Sequence, residues 1–259
     1  MTRVLSALAL LPVVVGVVWF LPSIWTLVLT EAFLFLALIE YADLTERIGA
    51  PFGRIPTVIA AVVTCAAFTL VPSMVLVVLM ASTVGIAVVQ LADGKRVMLP
   101  SVSAAAFSLL YLAVPLGSLA ALHAQDGREV VLLLLLTVMA SDTAQYYGGR
   151  AFGRRPLAPA ISPKKTVAGA VFGFFAGAVA MTVAGQWWFP GVDPIVRALL
   201  GATVAGLGIA GDLFESSLKR SADVKDSSAL IPGHGGVLDR VDGILFAAPV
   251  YYTVVQFTP

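Results

Sequence analysis

A chain of 259 residues that is 59% hydrophobic and 12% charged, with a net charge of +1 and a mean hydropathy of +0.96, lies well above the roughly 45–50% apolar usage of soluble domains. Those figures exclude a soluble globular domain, and sixteen bases against fifteen acids give no bulk charge for a nucleic-acid partner, so none is expected. The lone cysteine, Cys65, excludes an internal disulfide and reads as a small buried hydrophobe, and no Cys/His spacing suits a metal.

A spanning helix needs about 20 mostly apolar residues. In chain order such segments fall near 4–21, 23–41, 56–71, 73–92, 101–122, 129–147, 166–188, 194–218 and 243–257. The first follows Arg3 as a signal peptide would, but no small-x-small cleavage site follows it and a second apolar run begins after Pro22, so it is read as a helix. The third is short, and Val71-Pro72-Ser73 before the fourth marks a tight hairpin or a re-entrant segment. The expected fold is an all-α integral membrane protein of about nine transmembrane helices. It forms one polytopic domain, with N-terminal helices over 1–128 and the helices and loops that carry the candidate site over 129–259.

Lys and Arg collect in short cytoplasmic loops of membrane proteins. With the N-terminus inside, fourteen of the sixteen bases fall inside, among them Lys95 and Arg96, and only Arg128 and Arg197 fall outside. The two richest polar loops, 148–165 and 219–242, then share the cytoplasmic face of the cell membrane.

Segment seven carries Gly169, Gly173 and Gly177, a face that admits a close helix neighbour either within the monomer or in a homodimer, and a homodimer is the expected assembly. Gly206, Gly208 and Gly211 in segment eight match a dinucleotide-binding GxGxxG by letter. No strand precedes them, so they are read as helix-packing glycines or as space beside Asp212.

Asp142 and Asp212 lie one to two turns inside the ends of segments six and eight, where an acid is costly and therefore a functional candidate. Asp212, Glu215 and Lys219 follow at i, i+3 and i+7, on one helix face. Asp239 and Asp242 stand where segment nine begins. Glu31 and Glu40 have no basic partner nearby in sequence and receive no role.

The thirty-two positions from Gly211 to Asp242 hold six of the fifteen acids, four of the sixteen bases and one of the two histidines. Carboxylates suit a hard cation, while Lys, Arg and the backbone N–H groups of a Gly-rich turn suit anionic oxygens. The run contains Lys219-Arg220, Lys225-Asp226 and Pro232-Gly233-His234-Gly235-Gly236.

On these residues the chain resembles the phosphatidate cytidylyltransferase, or CDP-diacylglycerol synthase, family. The family signature is met from Ser216 through Lys219, Arg220, Lys225, Asp226, Ser228, Pro232, His234, Gly235 and Gly236 to Asp239 and Arg240, and Ser141 to Thr166 resembles a second block. Many members follow Lys-Lys-Thr with Trp-Glu-Gly; here Val167-Ala168-Gly169 follows Lys164-Lys165-Thr166.

The resemblance implies transfer of a cytidylyl group from CTP to phosphatidic acid in the bilayer, with Mg²⁺ on Asp212 and Asp239 and a contribution from Asp142. It also implies a second, monovalent cation such as K⁺. Asp212, Asp239, Lys219 and His234 would be the catalytic set. Lys164, Lys165, Arg220, Lys225, Asp226, Gly235, Gly236, Arg240 and Ser216 would bind substrate. A CDP-archaeol synthase is the alternative within the class, and a cation or proton-coupled transporter the alternative outside it. A transport path has little need of so dense a basic, Gly-rich loop on one face.

Overall fold

Long runs of Leu, Val, Ala and Phe leave a backbone in lipid one open way to satisfy its own N–H and C=O groups, the α-helix. The computed structural model describes residues 2–92, 99–230 and 235–258, with side chains from Leu11 onward. Its helices are α1 (Thr2–Phe20), α2 (Ser23–Arg47), α3 (Arg54–Leu70), α4 (Val75–Ala92), α5 (Leu99–Ser108), α6 (Val114–Gln125), α7 (Arg128–Phe152), α8 (Val167–Trp188), α9 (Pro194–Ser221), α10 (Leu238–Leu245) and α11 (Ala247–Phe257). A π-helical turn at Leu109–Ala113 joins α5 to α6, and a 3₁₀ turn at Pro72–Met74 leads into α4, so the Pro72 break is a tight turn between helices.

A helical stretch stands at every segment expected from the sequence. Among the described residues, six are both long and apolar enough to cross a membrane: Ser23–Arg47, Pro72–Ala92, Leu99–Gln125, Arg128–Phe152, Val167–Trp188 and Pro194–Ser221. The nine-helix count is finer than that. α3 has 17 residues. The expected ninth segment is broken at Phe246, where Pro249 has no N–H to give the Leu245 carbonyl one turn back; α10 thus ends with Leu245, and α11 alone has 11 residues, about 16 Å of helix. The all-α expectation also misses a two-stranded antiparallel hairpin, β1 (Pro156–Ala158) and β2 (Ser162–Thr166), which pairs Pro156 with Thr166 and Ala158 with Ser162.

The chain divides into two compact units, Met1–Gln125 with Leu218–Arg240, and Asp126–Ser217 with Val241–Pro259. The first unit thus joins the N-terminal helices to the segment from Leu218 to Arg240. In the first unit Leu34, Leu38, Leu44, Leu109, Leu112 and Leu122 are fully buried. Cys65 is buried among them, as expected of a small apolar residue. Gly117 lets α6 lie on α3, since a Cβ there would overlap the Phe68 ring and the Cys65 carbonyl. The Thr26 hydroxyl and His123 Nδ1, 2.6 Å apart, add a polar tie.

In the second unit the glycine face of α8 is spent internally. Gly169 and Gly173 lie against Gln145 of α7, and Gly177 against Gly201 and Ala205 of α9. The homodimer expectation therefore loses the support those glycines gave it. Gly206, Gly208 and Gly211 likewise pack, against Phe174, the Gly243 carbonyl and the Asp242 carbonyl. The Tyr251 hydroxyl closes α11 onto α7 by donating to the Val130 carbonyl at 3.1 Å.

Candidate functional site

In the first unit the site grows from the way α9 stops. Asp223 has φ +55, the left-handed conformation that ends helices and that Asp and Asn tolerate better than most residues. The Asp223 N–H then bonds the Arg220 carbonyl at 3.1 Å and the Val224 N–H the Lys219 carbonyl at 3.0 Å. That closure turns the chain out of the helix. Arg220 remains at the surface with its guanidinium on the Val224 carbonyl at 2.9 Å, and Lys225, Asp226 and Arg240 are exposed.

Ser227 turns inward and meets two carboxylates. The first is Asp239, whose Oδ2 accepts from the Ser227 N–H at 3.0 Å, the Ser227 hydroxyl at 2.8 Å and the Gly236 N–H at 2.8 Å. Its Oδ1 pairs with the Lys219 ammonium, and both side chains are largely buried. Burial would push the Asp239 carboxyl up, but Lys219 and the Gly236 and Ser227 N–H groups outweigh it and hold the group down at about 2.

The second carboxylate is Glu40 of α2, 3% exposed. It accepts from the Ser227 hydroxyl at 2.8 Å, the Ser228 hydroxyl at 2.7 Å, the Val237 N–H at 2.9 Å and the Leu238 N–H at 2.8 Å. The N–H groups that open a helix have no partner inside it, and a carboxylate at that end also meets the favourable pole of the helix dipole. Glu40 thus caps α10 from nearly two hundred residues away. Two glycines make room. Gly235 has φ +77, and a Cβ at Gly236 would overlap both Ser227 Oγ and the Glu40 carboxylate.

In the second unit, α7 supplies Asp142, α9 supplies Asp212 and β2 supplies Lys165. Alternation along the strand separates the lysine pair: Lys164 is exposed, whereas Lys165 turns to Asp212 and pairs with its Oδ2. Asp212 Oδ1 meets the Ser216 hydroxyl at a long 3.4 Å. Gln145 donates to Asp142 at 3.1 Å, and Asp142 interacts electrostatically with both Asp212 and Lys165. The Thr166 hydroxyl accepts the Gly169 N–H at 3.1 Å and caps α8. No acid stands in the first turn of that helix, where Val167 and Ala168 lie.

These residues suit a hard divalent cation. Asp142 and Asp212 offer carboxylate oxygens, and the Lys165 ammonium shows that positive charge is accommodated between them. Among the described residues no three His, Cys, Asp or Glu side chains converge into a closed cage. One or two carboxylates, with the remaining positions left to water and substrate phosphate, is the donor set Mg²⁺ favours.

A model of the cytidylyltransferase family matches residues 1–258. The chain belongs to that family. Cytidylyltransferase relatives at moderate identity include a phosphatidate cytidylyltransferase of Synechocystis sp., 45% identical over 136 residues, 51% of this chain and 45% of that protein. Another, from Helicobacter pylori, is 36% identical over 155 residues, 60% of this chain and 58% of that protein. Uncharacterized protein YnbB of Escherichia coli is 39% identical over 136 residues, 51% of this chain and 44% of that protein. The chain spans about half the length of the curated relatives it matches.

Of the residues singled out from the sequence of this family member, the first unit joins Lys219, Asp239, Gly235 and Gly236, and the second joins Asp142, Lys165, Asp212 and Ser216. Asp212 and Lys219, one face of α9 by spacing, take different partners. Lys164, Arg220, Lys225, Asp226 and Arg240 stay at the surface, and His234 lies outside the described residues. Glu40 received no role from the sequence. Its signal was an acid on an apolar helix, but its partners are hydroxyls and backbone N–H groups, which a search for opposite charges passes over.

Proposed function

We propose that this chain is a membrane nucleotidyltransferase that moves a cytidylyl group from CTP to a lipid phosphate, giving CDP-diacylglycerol from phosphatidic acid and releasing pyrophosphate. The observation that carries the reading is the packing of Ser227, Ser228 and Gly236 to Leu238 around Glu40 and Asp239, with Arg220, Lys225 and Arg240 left at the surface. Family membership and the likeness to the phosphatidate cytidylyltransferases of Synechocystis and Helicobacter pylori support it.

An ionised lipid-phosphate oxygen attacks the α-phosphorus of CTP, the bond to the β-phosphate oxygen breaks, and pyrophosphate carries off the electron pair. The nucleophile is already charged, so no strong general base is needed and the protein's task is positioning and charge neutralisation. Lys164, Arg220, Lys225 and Arg240 meet phosphate oxygens, Lys165 and Lys219 lend positive charge beside them, and His234 orients one phosphate. Asp226 and Ser216 help hold the substrate-binding segments. Asp212 and Asp239, with a contribution from Asp142, would hold Mg²⁺, which when bound would supply charge neutralisation for the triphosphate and the leaving pyrophosphate. A monovalent cation such as K⁺ belongs to the same proposal.

The distribution of bases supports nine crossings, with the loops 148–165 and 219–242 on the cytoplasmic face of the cell membrane. An Ala229→Cys variant in a Cys65→Ala background tests this, because Ala229 is exposed whereas Ser227 is buried in the carboxylate network. Reaction with an impermeant thiol reagent from outside sealed cells would overturn the orientation.

The activity is tested by incubating purified protein with CTP, Mg²⁺ and either diacyl phosphatidate or an archaeal ether-lipid phosphate. CDP-diacylglycerol from the first supports the reading, and product from the second alone moves it to the ether lipid. Cation flux through reconstituted protein without CDP-lipid would replace it with transport.

A further inference from the structure

We propose that Glu40 is a positioning residue for the segment that carries Lys225 and Arg240, that this segment serves CTP rather than the lipid phosphate, and that the site therefore extends into α2. The inference rests on the proposed function for its substrate and on the geometry for everything else. Glu40 spends both carboxylate oxygens on one segment: two on hydroxyls, Ser227 and Ser228, and two on the opening N–H groups of α10, Val237 and Leu238. Among the described residues no basic side chain forms an ion pair with it.

The consequence is mechanical. Ser227 Oγ lies 2.8 Å from Glu40 and 2.8 Å from Asp239, so the two carboxylates share its single hydroxyl hydrogen. Asp239 in turn holds Lys219. Glu40 therefore fixes Ser227, Ser227 bridges to Asp239, and Asp239 sets the lysine. The same carboxylate holds Ser227 and Ser228 on one side and Val237 and Leu238 on the other, close in sequence to Lys225 and Arg240. Gly236 confirms how tight the anchor is, because no side chain fits between Ser227 and Glu40.

The experiment uses the full chain in detergent, with Glu40→Gln and Glu40→Asp, and Glu46→Gln as the control, an exposed acid of the same helix paired with Arg54. Two readouts are taken. In ligand-free protein, tryptic cleavage after Arg220 and Lys225 reports how often the loop opens. Glu40→Gln is expected to raise it about tenfold, Glu40→Asp less, and Glu46→Gln less than about twofold. In turnover assays, KM for CTP is expected to rise about tenfold in Glu40→Gln with KM for the lipid phosphate within about twofold, and Glu40→Asp to recover part of the loss.

Unchanged cleavage in Glu40→Gln overturns the proposal. So does faster cleavage with both KM values unchanged, or with both raised alike, since a merely structural glutamate would not favour one substrate. Should neither Glu40 variant insert, Ser228→Ala removes one of the four donors and must raise cleavage and KM for CTP in the same sense; if it moves neither, the proposal fails. A wild-type protein that makes no CDP-lipid sinks the functional reading, and the cleavage arm still decides whether Glu40 holds the loop.

Discussion

Each unit of this protein contains a lysine paired with an aspartate, and the two pairs are built for different work. In the first unit Lys219 and Asp239 have side chains 10% and 7% exposed, and Asp239 holds three further donors from Ser227 and Gly236. In the second, Lys165 and Asp212 are 21% and 35% exposed, and beyond the lysine Asp212 has a hydroxyl at 3.4 Å. Removing one partner of a buried pair leaves an uncompensated charge and costs about 3–5 kcal/mol, whereas a solvent-exposed pair is worth about 0–1 kcal/mol. The first pair is thus part of the loop's architecture. The second is free to exchange one partner for another, which is what a carboxylate must do when it gives up an ammonium for a metal ion.

The sharpest way to break the contrast is to remove the cation. Chelation by EDTA is expected to abolish CDP-lipid synthesis while leaving tryptic cleavage after Arg220 and Lys225 unchanged, because Glu40, Ser227, Lys219 and Asp239 hold one another without a metal. Full activity in chelator would remove the metal from the proposal.

Next in size is Asp239→Asn. Charge alone predicts a variant that folds normally and loses metal affinity. The structure revises that expectation, because an amide cannot accept on every side from Lys219, Ser227 and Gly236, and the buried ammonium is stranded. Turnover is expected to fall by about 10²–10³, or ~3–4 kcal/mol, together with faster loop cleavage. A loss of turnover with wild-type cleavage would restore the charge-only account.

The lysines compare the pairs directly. Lys219→Met should cost about 3 kcal/mol of stability by stranding Asp239, and Lys165→Met less than about 1 kcal/mol, while both impair turnover. Thermal melts in one detergent measure the first quantity and CDP-lipid synthesis the second. Equal melting shifts would erase the distinction.

Much of this was legible beforehand. Apolar length located the helices, and the charge-dense loop marked itself against an apolar background. What the sequence withheld has a common cause: partners far apart along the chain leave no local pattern. Glu40 reaches Leu238 through backbone N–H groups, which carry no residue-type signal. The split of Lys164 from Lys165 depends on a five-residue strand that looks like loop, and the break between α10 and α11 follows from Pro249, which leaves the Leu245 carbonyl without its helical donor and which apolar length alone passes over.

A smaller effect comes from acid. Asp239 has a folded-state pKa of about 2 against an ordinary 3.8. A depressed carboxyl contributes stability that is fully present above the unfolded value and is lost as pH falls through the folded one. The contribution, on the order of 2 kcal/mol, should therefore persist at pH 5 and fade between about pH 4 and pH 2. Thermal melts down this range check it, and Asp239→Asn should flatten the dependence. A wild-type profile no steeper than the variant's would mean that Lys219 and the two N–H groups do not hold the carboxylate.

The smallest effect expected is also a control on the whole comparison. Asp223 is an acid of the same loop, four residues from Ser227, but it is exposed and its backbone rather than its carboxylate does the structural task, with φ +55 at the end of α9. Asp223→Asn keeps a residue that tolerates the left-handed region, so stability should change by less than about 0.5 kcal/mol and turnover by less than about twofold. Asp223→Gly should match it or melt slightly higher, and Asp223→Val should lose about 1–2 kcal/mol, the cost of forcing a β-branched residue into that conformation. Melting temperature and CDP-lipid synthesis for the three variants give the answer. If Asp223→Asn lowered turnover as far as Asp239→Asn, the acids of this loop would act through their summed charge, and the buried Lys219–Asp239 pair would lose its claim to a separate role.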